Sequence, residues 1–288
     1  MTILYYAPGG GLGHLSRALK VMRYIGASGI VVTSPLTLTP PLPDHIQHLP
    51  IEDNCTDLGS LAGWLTKVLR NYAVSSLIVD SFPAGIMGEL GHISLPANRV
   101  YVSRLLNWQV YQRGINAIPS YRQTWYCEWP AEDQEFALAH LTGVRYWLPL
   151  LGTPPEASTA VTEPGVLIIH SDIGELAELM PSNTDIPITL ITAPLTDIEQ
   201  QRLQQQWPQV TLKHQFPAYA IGWQYQQLRC AGGFNLVSEY LQHPGVKFTP
   251  LARTLDLQQL RLSRGIRGML PPSGMPLLAA GQQSEHDK

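Results

Sequence analysis

Residues 3–7 form an apolar run at the start of the chain, and from Leu15 the apolar positions Leu15, Ala18, Leu19, Met22 and Ile25 recur every three or four residues. The run predicts a buried strand, and the recurrence predicts a helix with one buried face. Further strand-like runs at 30–33, 77–80 and 100–103 alternate with helical patterns at 58–71 and 84–90. This is the rhythm of βαβ units and a parallel sheet. A second series repeats it, with strands predicted at 166–169, 188–192, 210–213, 228–231 and 246–249 and helices at 197–206, 236–242 and 256–264. Residues 151–165, rich in Pro, Gly, Thr and Ser without apolar periodicity, read as a linker, and the polar stretch 271–288 reads as a disordered tail. The expectation is an α/β protein of two Rossmann-like doubly wound domains, 1–150 and 166–270, facing a cleft. Ligands of such sheets bind beyond the carboxyl ends of the strands.

Composition narrows the partners. The 288 residues carry 19 Lys and Arg against 22 Asp and Glu, a net charge of −3, with no basic run, so nucleic acid is excluded as a partner. Charged residues make up 14%, well below the roughly one quarter of ordinary soluble domains, which suits a chain with an interdomain or subunit contact. Cys55, Cys127 and Cys230 are odd in number and lack CxxC spacing, which argues against a disulfide framework and for a reducing, cytoplasmic setting. No signal-peptide pattern and no apolar run of about 20 residues is present. No membrane span is therefore expected, while peripheral membrane contact stays open. His45 and His48 sit in a Pro-rich stretch, and no HxxxH, DxD or EF-hand spacing occurs, so no dedicated metal site is expected.

Two glycine turns carry the candidate chemistry. Gly9, Gly10, Gly11 and Gly13 lie between the first strand and the first helix, and His14 follows at once. Glycine lets a ligand approach the backbone closely, and the free N–H groups of a helix start favour an anion or a polar oxygen. A tight βα turn with no ligand has the same pattern. The segment Cys230-Ala231-Gly232-Gly233-Phe234-Asn235 repeats the logic in the second half. Glu239 falls about one helical turn after Asn235, where a carboxylate can accept from paired ribose hydroxyls; a capping Asn beside a solvated Glu is the alternative.

Together the two turns resemble the GT-B nucleotide-sugar glycosyltransferases, in particular the branch that contains the N-acetylglucosaminyltransferase of peptidoglycan lipid II synthesis. GGGLGHLSR is similar to that family's glycine-rich loop and histidine, and AGGFNLVSEYLQHPGVKFTPLAR to its AGGxNTxxE signature. Leu255-Asp256-Leu257-Gln258-Gln259 is similar to a downstream acidic-plus-glutamine element. The resemblance implies a UDP-sugar in the second domain, with Gly232, Gly233 and Asn235 near the diphosphate, Glu239 on the ribose, and Asp256, Gln258 and Gln259 on the donor sugar. It implies an acceptor in the first domain beside Gly10, Gly11, Gly13 and Arg104, with His14 at the loop tip as general base and Asp80 orienting it. Transfer would be inverting and metal-independent, a UDP-sugar-dependent hexosyl transfer with the UDP-sugar as co-substrate and no cofactor. Asp172 stands where the family has a glycine pair, and pointing inward it would repel a diphosphate. A nucleotide-sugar hydrolase or epimerase of similar fold, or a catalytically degenerate binding subunit, are the rival expectations.

From Arg104 to Trp129 run Trp108, Tyr111, Tyr121, Trp125, Tyr126 and Trp129, with Arg113 and Arg122 interleaved. They read either as an acceptor platform or as ordinary packing of helices on the first sheet. Arg104 either faces the cleft or pairs at the surface.

Overall fold

Along strand β1 (Thr2–Ala7), Leu4 and Tyr6 enter one core while Tyr5 and Ala7 enter another, and all four are buried. A strand buried on both faces belongs inside a parallel sheet covered by helices. The computed structural model describes residues 1–10, 12–36, 40–152, 163–182, 186–216 and 218–281. In it β1 is an interior strand of a seven-stranded sheet ordered β3-β2-β1-β4-β5-β6-β7. The other strands of the sheet are β2 (Gly29–Thr33), β3 (Ile46–Pro50), β4 (Val74–Asp80), β5 (Asn98–Ser103), β6 (Tyr121–Tyr126) and β7 (Thr142–Trp147); β1 lies between β2 and β4, and every pairing is parallel. Helix α1 (Leu12–Tyr24) covers one face through Leu15, Ala18, Val21 and Met22. Helix α2 (Leu58–Asn71), whose Asp57 and Ser60 form a reciprocal capping box, covers the other. Short helices α3 (Trp108–Tyr111) and α4 (Glu132–Ala139) lie between the later strands.

The second sheet repeats the topology with β8 (Glu163–Ile169), β9 (Ile188–Ile191), β10 (Val210–Lys213), β11 (Tyr225–Ala231) and β12 (Val246–Thr249) in the order β10-β9-β8-β11-β12. Helices α5 (Asp197–Gln206), α6 (Tyr219–Gly222), α7 (Phe234–Tyr240) and α8 (Gln258–Arg264) complete it. The expected α/β architecture of two doubly wound domains is therefore present. The core under α1 also contains Phe234, Val237 and Met269, so the two domains share an apolar seam.

Several expectations change. The helix predicted over 84–90 is a loop ending in a 3₁₀ turn at Glu89–His92, because Gly85 and Gly88 adopt positive φ and the buried Glu89 carboxylate accepts from the N–H groups of Ile86 and Met87. Strands β3, β6 and β7 were not predicted. Most of the aromatic stretch is packing: Trp108, Tyr111, Tyr121, Trp125 and Tyr126 are all buried, the last three on β6 rather than on a helix, whereas Trp129 is exposed and donates to the Leu270 carbonyl. Strand β8 starts inside the predicted linker, of which 153–162 lie outside the described residues. Residues 271–281 of the predicted disordered tail are ordered. Leu278 donates to the Trp147 carbonyl, Tyr24 donates to that of Leu278, and Met275 and Leu278 pack on the first-domain cores. The last seven residues, 282–288, lie outside the described ones. No described helix is long and apolar enough to cross a membrane.

Candidate active site in the interdomain cleft

In both sheets the chain order reverses beside the first strand, between β1 and β4 and between β8 and β11. The crevice that such a reversal leaves at the strands' carboxyl ends is where ligands of open α/β sheets sit. Here the two crevices open into one cleft of about 400 Å³, lined from the first domain by Gly10, Gly13, His14, Arg17 and Arg104 and from the second by His170, Gly233, Asn235, Glu239 and Asp256.

His14 is not at a loop tip but in the first turn of α1, 9% exposed. Asp80, fully buried at the end of β4, meets its Nδ1 at 2.9 Å through Oδ2. The Phe82 ring stacks on the imidazole at 5.9 Å between centroids. Gly9 explains how the ring fits, since at φ +140° it has a conformation that L side chains rarely adopt, and a Cβ there would lie 2.4 Å from His14 Nε2. Burial lowers the His14 pKa, and Arg17 and Arg104 push the same way against Asp80, so the imidazole is neutral at neutral pH. A neutral imidazole in a cleft, held through Nδ1, can take a proton at Nε2.

Asp80 holds more than the histidine. Arg17, one helical turn after His14, donates from Nε to Oδ1 at 2.7 Å and from NH2 to Oδ2 at 2.5 Å. Tyr5 donates to Oδ1 at 3.1 Å and the Ser81 hydroxyl to Oδ2 at 3.1 Å. Burial alone would raise the Asp80 carboxyl, but Arg17 outweighs it and holds it well below the ordinary carboxylate range. Ser81, at φ +65°, also receives Arg17 at 2.9 Å and Arg104 at 2.8 Å. A fully buried non-glycine residue in that region is strained. Three polar contacts of its hydroxyl accompany the strain.

Arg104 neither points to solvent nor stands free. Its NH1 meets Asp256 Oδ1 at 2.8 Å across the domain interface, and Arg261 reaches the same oxygen at 2.7 Å. Burial would raise Asp256, but Arg104 and then Arg261 outweigh it and hold the carboxyl at about 2. Arg261 also binds Glu128 of the first domain at 2.7 and 2.8 Å, with both residues almost wholly buried.

On the second domain, Asn235 donates to the Gly13 carbonyl at 2.5 Å, tying the two glycine turns together. Gly233 precedes α7 and lines the cleft. Gly232 does not line it. Its N–H is bonded to the Thr249 carbonyl and its own carbonyl accepts from Arg261, so it packs against α8 instead of offering a donor. The Glu239 carboxylate lines the cleft and is paired with Lys20 of α1. Gln258 lines the cleft but accepts from the Leu251 N–H, and Gln259 is exposed on α8 outside it. Gly10 lines the cleft with open space where a Cβ would be, while Gly11 lies outside the described residues. Asp172 caps the 3₁₀ turn Ile173–Glu178 by accepting from the Gly174 N–H at 2.8 Å.

Sequence reasoning placed Gly9 in the first glycine turn but missed Arg17, Lys20 and Ser81, and also a cluster in which Glu175 joins His170 at 2.9 Å to Arg253 on the cleft wall. Arg17 was legible in principle, because a residue three after His14 shares its helix face. No described group of three or more His, Cys, Asp or Glu side chains comes together as a metal site.

No protein-family model matches this chain, and no curated protein matches it in sequence. Its backbone, however, matches solved structures. A UDP-glucosyltransferase from Polygonum tinctorium capable of glucosylating indoxyl superposes with a TM-score of 0.51 at 14% identity, covering 97% of this chain and 87% of that one. The glycosyltransferase SsfS6 of Streptomyces sp. SF2575 gives 0.51 at 12% identity, over 88% and 82%. A UDP-N-acetylglucosamine 2-epimerase from Rickettsia bellii gives 0.50 at 10% identity, over 96% and 85%. The fold is the two-domain GT-B arrangement.

Proposed function

We propose that the chain is an inverting glycosyltransferase that moves a sugar from a UDP-sugar to an acceptor hydroxyl, with His14 as the base. The observation that carries this reading is the juxtaposition of His14, held through Nδ1 with Nε2 against a glycine, and the Gly233–Asn235–Glu239 turn across one cleft. In the reaction the acceptor O–H proton passes to Nε2 and the acceptor oxygen bonds the anomeric carbon. The bond from that carbon to the diphosphate breaks, and UDP leaves with the electron pair. Gly233 and Asn235, which line the cleft where α7 begins, would lie beside the leaving diphosphate. Glu239 would exchange Lys20 for ribose hydroxyls, and Asp256 and Gln258 are the nearer candidates for the donor sugar. Gly232 acts in this reading only by letting α8 approach. Fold likeness to UDP-sugar enzymes and the two sequence turns support the UDP-sugar; the hexosyl group, a cytoplasmic location, independence of metal and peripheral membrane contact belong to the same proposal.

The epimerase among the structural matches favours a second reading, in which the cleft acts on the sugar nucleotide itself. Incubation with a panel of radiolabelled UDP-sugars, with and without a cell extract as acceptor source, separates the two. Acceptor-dependent UDP release supports transfer; free sugar without acceptor indicates a hydrolase, and an isomerised sugar still on UDP an epimerase. Glu239→Ala is expected to weaken UDP binding by about tenfold or more, the loss of charge-assisted hydrogen bonds, as read by calorimetry. Gly9→Ala is expected to lower turnover by about 10²-fold with UDP affinity unchanged, because the methyl displaces the His14 ring; steady-state kinetics with the same donor check it.

A further inference from the structure

Arg17 is 3% exposed, and its fork grips both oxygens of Asp80, which is also the carboxylate that orients His14. Such a bidentate guanidinium–carboxylate pair is strong and geometrically specific. We propose that Arg17 is a positioning residue that sets the charge around the candidate base: it matches Asp80, so that the carboxylate orients the His14 ring without giving it a free counter-charge, and the imidazole on the cleft wall rests neutral. The inference rests on reading His14 as the base.

The groups around the imidazole show the balance. From its own helix comes Arg17, and from the end of β4 come Asp80 and the Ser81 hydroxyl. Arg104 follows β5 and is matched by Asp256. The Tyr5 phenol of β1 stands across Asp80, the Cys127 thiol follows β6, and α7 presents the uncharged Asn235 to Arg17 at 3.5 Å. Arg17 cancels Asp80 and Arg104 cancels Asp256, so a proton added to His14 would be an unmatched buried charge, which is costly. The lowered His14 pKa agrees with this. The balance also suits the reaction, because a cation appears on His14 only as the acceptor proton arrives, in the step in which the diphosphate takes up the electron pair of the broken bond.

Histidine titration in ¹⁵N-labelled protein tests the inference, with the His14 signal identified by its loss in His14→Gln. The wild type is expected to titrate below the ordinary histidine range with the proton on Nδ1. Arg17→Met is expected to raise the His14 midpoint by about one pH unit or more, since Asp80 would then have the imidazolium as its only close cation. Arg17→Lys is expected to keep the midpoint near the wild-type value. An unchanged midpoint in Arg17→Met, or a raised one in Arg17→Lys, would overturn the inference. If Arg17→Met does not fold, the double variant Arg17→Met with Asp80→Asn carries the test, with the midpoint expected to stay as low as in the wild type; a raised midpoint would contradict the charge balance. These spectra need neither donor nor acceptor. A failed shift with intact UDP binding thus counts against Arg17, and absent UDP binding with an intact shift counts against the transferase.

Discussion

His14→Ala is expected to lower UDP-sugar turnover by about 10²- to 10⁴-fold, the usual contribution of a positioned general base, while UDP affinity stays within a few-fold of the wild type. The separation follows from geometry: His14 belongs to the first domain, and the residues assigned to the nucleotide, Gly233, Asn235 and Glu239, lie at the start of α7 and along it in the second. The fold should survive the change. Asp80 loses one donor but keeps Arg17, Tyr5 and Ser81, so no buried carboxylate is left without a cation. Asp80→Asn differs, because it would leave Arg17 buried without its counter-charge. Steady-state kinetics beside a thermal melt distinguish the two: a loss of kcat without a loss of Tm in His14→Ala marks a chemical role. Turnover near wild type in that variant would remove His14 from the mechanism.

The second large effect concerns the domain interface. Arg261→Met is expected to destabilise the chain by about 3–5 kcal/mol, because Glu128 would remain buried with only the Leu105 N–H as partner. That is a large part of the roughly 5–15 kcal/mol that holds a folded protein together. Urea unfolding reads the loss. Replacing Glu128 by Met in the same variant should restore most of it, since a matched apolar pair leaves no unpaired charge. The interface also has a pH dependence with a defined sign. Asp256 is held at about 2 against an ordinary 3.8, so its contribution is complete above about pH 4 and is lost as the pH falls through 2.

The fold was legible where the apolar period was strong. Helix α2 and helix α5 begin and end at the predicted residues, because in each a capping box follows a polar stretch and starts the helix sharply. Strand β6 was hidden because its inward residues are aromatic and were counted by type and not by alternation. The 84–90 loop was misread because the demand of a buried Glu89 for backbone donors is a tertiary fact. The ordered tail was missed for a related reason: its polar composition hid Met275 and Leu278, which pack on cores that form only from the distant first domain.

The site divides in the same way. Asp80 and the two glycine turns were visible because each sits at the end of an apolar strand, where α/β sheets expose their ligands, and His14 because it opens the helix after the first turn. The partners of the charged residues were not. Nothing along the chain says that Lys20 meets Glu239, that Arg104 meets Asp256, or that Arg17 and His14 divide one carboxylate, because these pairs join residues 63 to 219 positions apart or share a helix face with several other candidates. Gln259 was assigned with Gln258 from a motif, but adjacent helical residues cannot face the same cleft.

The central claim is that this cleft holds a uridine nucleotide. Calorimetric titration of the purified protein with UDP tests it most directly: saturable binding with a Kd below about 1 mM, weakened in Glu239→Ala, is the predicted result. No saturable binding of UDP by a folded wild-type protein would contradict it.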